Sequence, residues 1–201
     1  MPMDCFCGIS DRHELAHILL ERREAICARA GELGGVELML ALSHVTDALV
    51  QQIYEAALEA CAPAGAKEIA VAAVGGYGRQ EMAPFSDVDV AFLVSGEEDD
   101  ETDLVVKRAF RMLMDVLDEA GLKVGYSYRS VDELVHLPLE AQTALLDARC
   151  LAGSEVLFQS FRTALRNAIV PTAFVTAHVD SRHQDSDTPF VVEPDIKEGA
   201  G

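Results

Sequence analysis

The 201-residue chain contains no run of eighteen apolar residues, so no transmembrane helix is expected. Its opening, "MPMDCFCGISDRHE", lacks the basic-then-apolar layout of a secretory signal. Positive charge is scarce: 16 Lys and Arg stand against 34 Asp and Glu, a formal net charge of −18. Such a surface repels nucleic-acid backbones and anionic membranes, so neither is expected as a partner. A small anionic substrate stays open, because a metal ion and a few local arginines reverse the sign inside a cleft. The five cysteines are odd in number and scattered, which suits reduced thiols in a cytoplasmic protein better than a disulfide framework. Cys5 and Cys7 form a C-x-C pair with no second pair at ligand spacing, and read as ordinary thiols. No internal repeat and no low-complexity tract is present.

Half of the chain is hydrophobic, enough for one sizeable core. Asp11 followed by Glu14 marks a helix start, with Leu15, Leu19, Arg22 and Ile26 at helical spacing behind it. "GELGG" at 31–35 breaks that helix, and a second carries Leu38, Leu42, Val45, Leu49 and Ile53 on one stripe. "EIAVAAV" at 68–74 is a short apolar run, as in a strand covered on both faces. A second strand is expected over 87–94, a helix with Val106, Phe110, Leu113 and Leu117 after it, and a third strand over 122–130. From Val131 to about His178 the pattern is helical, interrupted by Pro138, Gly153 and Pro171. His178 and His183 read as exposed linker residues, and the tail as extended around "FVVEP". This order predicts a small α/β or α+β sheet domain flanked by helices. The expected divisions are a helical region over 1–62, a sheet core over 63–135, and a second helical region with an extended tail over 136–201.

The chemistry concentrates in "VAAVGGYGRQEMAPFSDVDVAFLV", residues 71–94. Asp87 and Asp89 lie two apart on an expected strand, which points them to one face with Cα atoms ~6.6 Å apart. Two carboxylates at that spacing repel unless something offsets the repulsion, and a hard divalent cation between them would do so. Alone, a D-x-D reads as a turn cap followed by an exposed edge residue. The glycines change that balance. Gly75 and Gly76 end the preceding strand, and lacking a Cβ they let a backbone approach a phosphate closely. No G-K-[ST] follows, so this is no Walker A loop, and no G-x-G-x-x-G dinucleotide fingerprint is present.

An apolar residue, two glycines, a spacer of about ten residues and D-x-D on a strand resembles the hallmark of the nucleotidyltransferase superfamily typified by DNA polymerase β. "GGYGRQEMAPFSDVDVAFLV" is similar to the active-site segment of the bacterial PII uridylyltransferase/uridylyl-removing family, G-G-Y-G-R-x-E-[LM]-x-P-x-S-D-[IV]-D. "GLKVGYSYRSVDEL" resembles that family's G-L-x-V-G-H-S-x-R-T strand. "TALLDARCLAGSEVLF" resembles its A-x-L-[LM]-[ED]-A-R-x-L-x-G-x-x-x-L-F helix, and "EPDIKEGAG" its E-P-N-[IL]-K-E-G-P-G. The resemblance covers about residues 70 to 201, in order. It departs at Tyr126, where the family usually has histidine, at Asp195 in place of asparagine, and at Ala200 in place of proline. The chain stops at Gly201, where the family continues. The expectation is therefore an isolated transferase domain, without the family's uridylyl-removing and glutamine-sensing parts.

The resemblance implies a polymerase β-like fold and transfer of UMP from UTP to a protein acceptor, in the family a PII signalling protein of nitrogen regulation. Pyrophosphate would be released. It implies that Asp87 and Asp89 ligate Mg2+ or Mn2+, while Gly75 and Gly76 contact the triphosphate. Ser86 reads equally as a phosphate donor or a turn cap. Arg79 reads as a triphosphate contact or as an ion pair with Glu81. Polymerase-type sites often carry a third carboxylate on a neighbouring strand. "KVGYSYRS" has none, Asp132 and Glu133 read as a helix start, and Glu193 is the candidate. Arg129, Arg149 and Lys197 fall in matching blocks and are candidate phosphate contacts, with an ion pair to Asp147 on a shared helix as the other reading of Arg149. Tyr77 reads as a packing residue. Two alternatives stand beside this: transfer to a different protein or small molecule, and a silent nucleotide-binding or interaction module.

Overall fold

The computed structural model describes residue 6 and residues 8–61, 68–96 and 99–186. Helix α1 runs Arg12–Ala28, and Asp11 caps it, its Oδ1 accepting from the backbone N–H groups of His13 and Glu14 at 3.0 Å each. That satisfies two donors a helix start leaves without intrahelical acceptors. Leu15, Leu19 and Ile26 are buried as the periodicity predicts, together with Ala16 and Arg23, whereas Arg22 is only half-buried. Helix α2, Gly35–Cys61, buries Leu42, Val45, Leu49 and Ile53.

Strand β1 (Ile69–Ala73) is wholly buried. A four-residue helix α3 (Gly75–Gly78) follows, then strand β2 (Val88–Val94) and helix α4 (Asp100–Glu119). Strand β3 (Val124–Ser130) leads into a short 3-10 helix over Val131–His136. Asp132 and Glu133 do open a helix: Ser130 and Glu133 form a reciprocal capping box. Helix α5 (Leu139–Leu146), strand β4 (Arg149–Gly153), helix α6 (Glu155–Ala168) and helix α7 (Pro171–Ser186) complete the described chain.

The sheet is mixed, in the order β3-β2-β1-β4, with β2 and β3 parallel and the other two pairings antiparallel. Side chains alternate across it. Val71, Ala73, Val88, Val90, Phe92 and Val94 meet α1, α2 and α4 on one face. Ala70, Ala72, Ala91 and Leu93 meet Leu145, Leu157, Phe158, Phe161 and Leu165 on the other. Helices thus cover both faces, the α+β class expected.

Two expectations fail. The stretch from Val131 to His178, expected to be helical with breaks at Pro138, Gly153 and Pro171, also contains a strand, Arg149–Gly153, that pairs with β1. The outer edge of β1 would otherwise leave a row of backbone groups unpaired in the core, and β4 satisfies them. His178 is not a linker residue either. It lies on α7, within 3.0 Å of the Thr143 hydroxyl on α5 and edge-on to Phe174. His183 falls on the same helix. No helix among the described residues is long and apolar enough to cross a membrane.

Candidate active site

The site forms where β1 hands the chain to the glycine turn. The Val74 N–H donates to the Asp89 carbonyl at 3.0 Å, so the turn leaves the sheet beside Asp89. Gly75 has φ +59°, a left-handed conformation that L side chains rarely adopt. A Cβ built on Gly75 would stand 4.0 Å from Asp89 Oδ2, which places the bend against the carboxylate. Val74, at the N-cap of α3, supplies no capping side chain.

On the other flank of Asp89 lies β3. Parallel register sets Asp89 opposite Gly125, and a Cβ on Gly125 would collide with Asp89 Oδ1. The Asp89 carboxylate therefore occupies the space a side chain at 125 would fill. Gly125 is a site residue that the sequence reading did not single out, although a glycine inside a strand run is the signal for close approach. Asp87 sits one residue before β2 and is half-buried. Between them, Val88 is fully buried against the α1/α2/α4 layer, and its N–H donates to the Lys123 carbonyl at 2.8 Å.

Beyond Asp89, a cleft of about 370 Å³ opens between the sheet and α5. Asp89, Gly125, Ser127 and Arg129 line it from the sheet, Val74 and Gly75 from the start of the glycine turn, and Ala141, Ala144 and Leu145 from α5. Tyr126 also lines it, half-exposed and stacked on Phe110 of α4 at 3.9 Å between ring centroids.

The remaining predicted residues brace the turn. Ser86 Oγ accepts from the Ala83 N–H at 2.9 Å, and the Ser86 N–H donates to the Ala83 carbonyl, closing a tight turn. The Arg79 guanidinium is shared between Glu81 and Asp147, at 2.6 Å to each carboxylate. Those two hydrogen bonds, the Glu81 bond first, hold its pKa above the ordinary value. Arg149 does not pair with Asp147 on a helix. It stands on β4 and makes a two-pronged contact with Asp47 of α2, at 2.9 Å for each prong. Its other face lies 5.7 Å from the Tyr77 ring, and it donates long bonds to the carbonyls of Gly78 and Tyr77 at 3.4 and 3.5 Å.

Tyr77 is buried, as a packing residue should be. Its hydroxyl makes no hydrogen bond of good geometry, yet burial and then the neighbouring Asp47 push its pKa well above the usual tyrosine value. Arg23, buried in α1, donates to the Pro84 carbonyl at 2.8 Å and ties the segment before Asp87 to the helical layer. Glu193 and Lys197 lie outside the described residues, as do Cys5 and Cys7. No carboxylate stands on β3, in agreement with its sequence.

Asp87 and Asp89 suit a divalent cation by their chemistry. Both are hard oxygen donors, and Asp89 is seated by a glycine on each side. No cluster of three or more His, Cys, Asp or Glu that could hold a metal occurs among the described residues. Two carboxylates are the protein share typical of magnesium, which takes its other ligands from water and substrate phosphates.

Residues 20–131 match the family described as "Putative nucleotidyltransferase DUF294". Over 171 residues, 82% of this chain, the sequence is 37% identical to a bifunctional uridylyltransferase/uridylyl-removing enzyme of Burkholderia orbicola (strain MC0-3). Proteins of the same description from Burkholderia orbicola (strain AU 1054) and Burkholderia lata match to the same extent. The match spans 19% of the length of each of these relatives.

Proposed function

We propose, from the fact that this chain belongs to the DUF294 nucleotidyltransferase family, that it transfers UMP from UTP to a hydroxyl on a protein acceptor of the PII signalling type. The observation that carries this reading is the seating of Asp89 between Gly75 and Gly125, on the wall of a cleft of about 370 Å³. In the reaction, a bond forms between the acceptor oxygen and the α-phosphorus of UTP. The bond from that phosphorus to the bridging oxygen breaks, and pyrophosphate leaves.

Asp87 and Asp89 would hold Mg2+ or Mn2+, which when bound neutralises charge on the transferring phosphoryl group. The chain's own residues hold and orient the nucleotide. Backbone amides of Gly75 and Gly76 would meet phosphate oxygens where the missing Cβ atoms permit close approach. Ser86 Oγ accepts from Ala83, which leaves its O–H to donate to a phosphate oxygen. Arg79 would reach a phosphate by exchanging one of its two carboxylate partners. The hydroxyl proton needs a base, and Glu193 is proposed for that part. Most of the acceleration would come from positioning and charge stabilisation.

The test is incubation of the chain with UTP labelled at the α-phosphate, magnesium and a PII-type protein. Label on the acceptor together with pyrophosphate release is expected, and Asp89→Asn should abolish both while melting like the parent. Release with a different acceptor would move the assignment to that acceptor. Nucleotide binding without turnover would make the domain a silent module, the reading favoured by the lack of a carboxylate on β3.

A further inference from the structure

We infer that Arg129, which lines the same cleft as Asp89, is the cation that receives the polyphosphate of the nucleotide. This rests on the nucleotidyl-transfer reading and, of the candidate phosphate contacts Arg129, Arg149 and Lys197, singles out Arg129 by strand register and by its lack of an ion pair with any described carboxylate. Parallel register sets Asp89 opposite Gly125, Ala91 opposite Ser127 and Leu93 opposite Arg129. Alternation along β3 therefore turns Gly125, Ser127 and Arg129 toward the face that carries Asp89. Tyr128 turns to the opposite face, where its hydroxyl donates to Asp103 of α4 at 2.8 Å, and the Tyr126 ring stacks on Phe110 of the same helix although the residue also borders the cleft.

Arg129 is half-buried, and it lines the same cleft as Asp89 without pairing with it. Among the described residues, no carboxylate forms an ion pair with it, whereas Arg79 and Arg149 are each committed to carboxylates. An arginine that shares a cleft with a carboxylate, in a chain of net charge −18, has ready internal partners. With no ion pair to a described carboxylate, its fork of donors is left for an anion entering the cleft. Gly125 and Arg129 are four residues apart, about 13 Å along a strand. The long arginine side chain spans part of that gap, and a chain of phosphates would span the rest. The wall facing it, Ala141, Ala144 and Leu145, is apolar and offers no competing acceptor side chain.

The test measures binding of three probes to the full chain by calorimetry: UTP with magnesium, inorganic tripolyphosphate and uridine. Arg129→Gln should weaken UTP and tripolyphosphate at least tenfold and leave uridine within twofold. Arg129→Lys, which keeps the charge but loses the fork, should fall between. It also secures the comparison if the glutamine variant melts early. Arg108→Gln, the same charge change on the exposed surface of α4, should stay within twofold for all three. If Arg129→Gln and Arg129→Lys both bind UTP like the parent while Asp89→Asn does not, the assignment of Arg129 is overturned and the nucleotide site stands. If the parent chain binds no UTP, both readings fall.

Discussion

At the scale of single residues, the site depends on space as much as on charge. Asp89 keeps its place because position 125 has no Cβ. Gly125→Ala should therefore cost about 1–3 kcal/mol of stability, the usual range for overpacking, and at least a hundredfold in turnover, read by urea unfolding and by pyrophosphate release. Adding Asp89→Ala to Gly125→Ala should restore stability without restoring turnover, since it removes the clashing group and the proposed metal ligand together. Tyr77 supplies a pH prediction. Its pKa is raised in the folded chain, so below the unfolded value of about 10 the group contributes its full stability. As pH rises through that value the unfolded chain sheds the proton first, and stability falls until the folded pKa is passed. Tyr77→Phe should flatten this alkaline loss in melting curves taken from pH 8 to 11. A residual slope is expected from Tyr54, whose pKa burial also raises. An unchanged slope would remove Tyr77 from the explanation.

At the scale of elements, the glycine turn is held from behind. Arg149 joins β4 to Asp47 of α2 and reaches the carbonyls at 77 and 78, while Gln51 of α2 donates to the Leu151 carbonyl at 2.8 Å. Arg149→Met should destabilise the fold by about 2–4 kcal/mol, because it leaves the mostly buried Asp47 without its partner. It should also lower turnover through a loosened α3. The double variant Asp47→Leu with Arg149→Met should regain much of the stability, and a double-mutant cycle in chemical denaturation checks it. Neither partner carried a local signal, since they lie 102 residues apart in the chain. The same holds for β4. "RCLAG" is five residues long and has no β-branched residue, so nothing local marks it as a strand, and its conformation comes from the edge of β1. By contrast, α1, α2, α4 and the first three strands were legible, because each carries a cap or an apolar period. Asp87, Asp89 and the two glycines were legible as a spaced motif, whereas the role of Gly125 depends on a strand register that periodicity does not fix.

At the scale of the whole molecule, a helical layer covers each face of a four-stranded sheet, and the cleft opens between the sheet and α5. The net charge of −18 surrounds a site proposed to admit an anion. Long-range repulsion should therefore slow nucleotide capture at low salt, and screening should relieve it. The association rate of magnesium UTP, followed by stopped flow, is expected to rise severalfold as potassium chloride goes from about 20 to 200 mM. A steep fall instead would mean that local cations dominate the approach. Asp87 and Asp89 are proposed to share one cation beside the glycine bend. The most direct test of this is a crystal grown with manganese and a nonhydrolysable UTP analogue, with the metal located by anomalous scattering. The expected result is a manganese peak bonded to oxygens of both Asp87 and Asp89, with the triphosphate against Gly75 and Gly76. A bound nucleotide whose metal lies away from both carboxylates would contradict it.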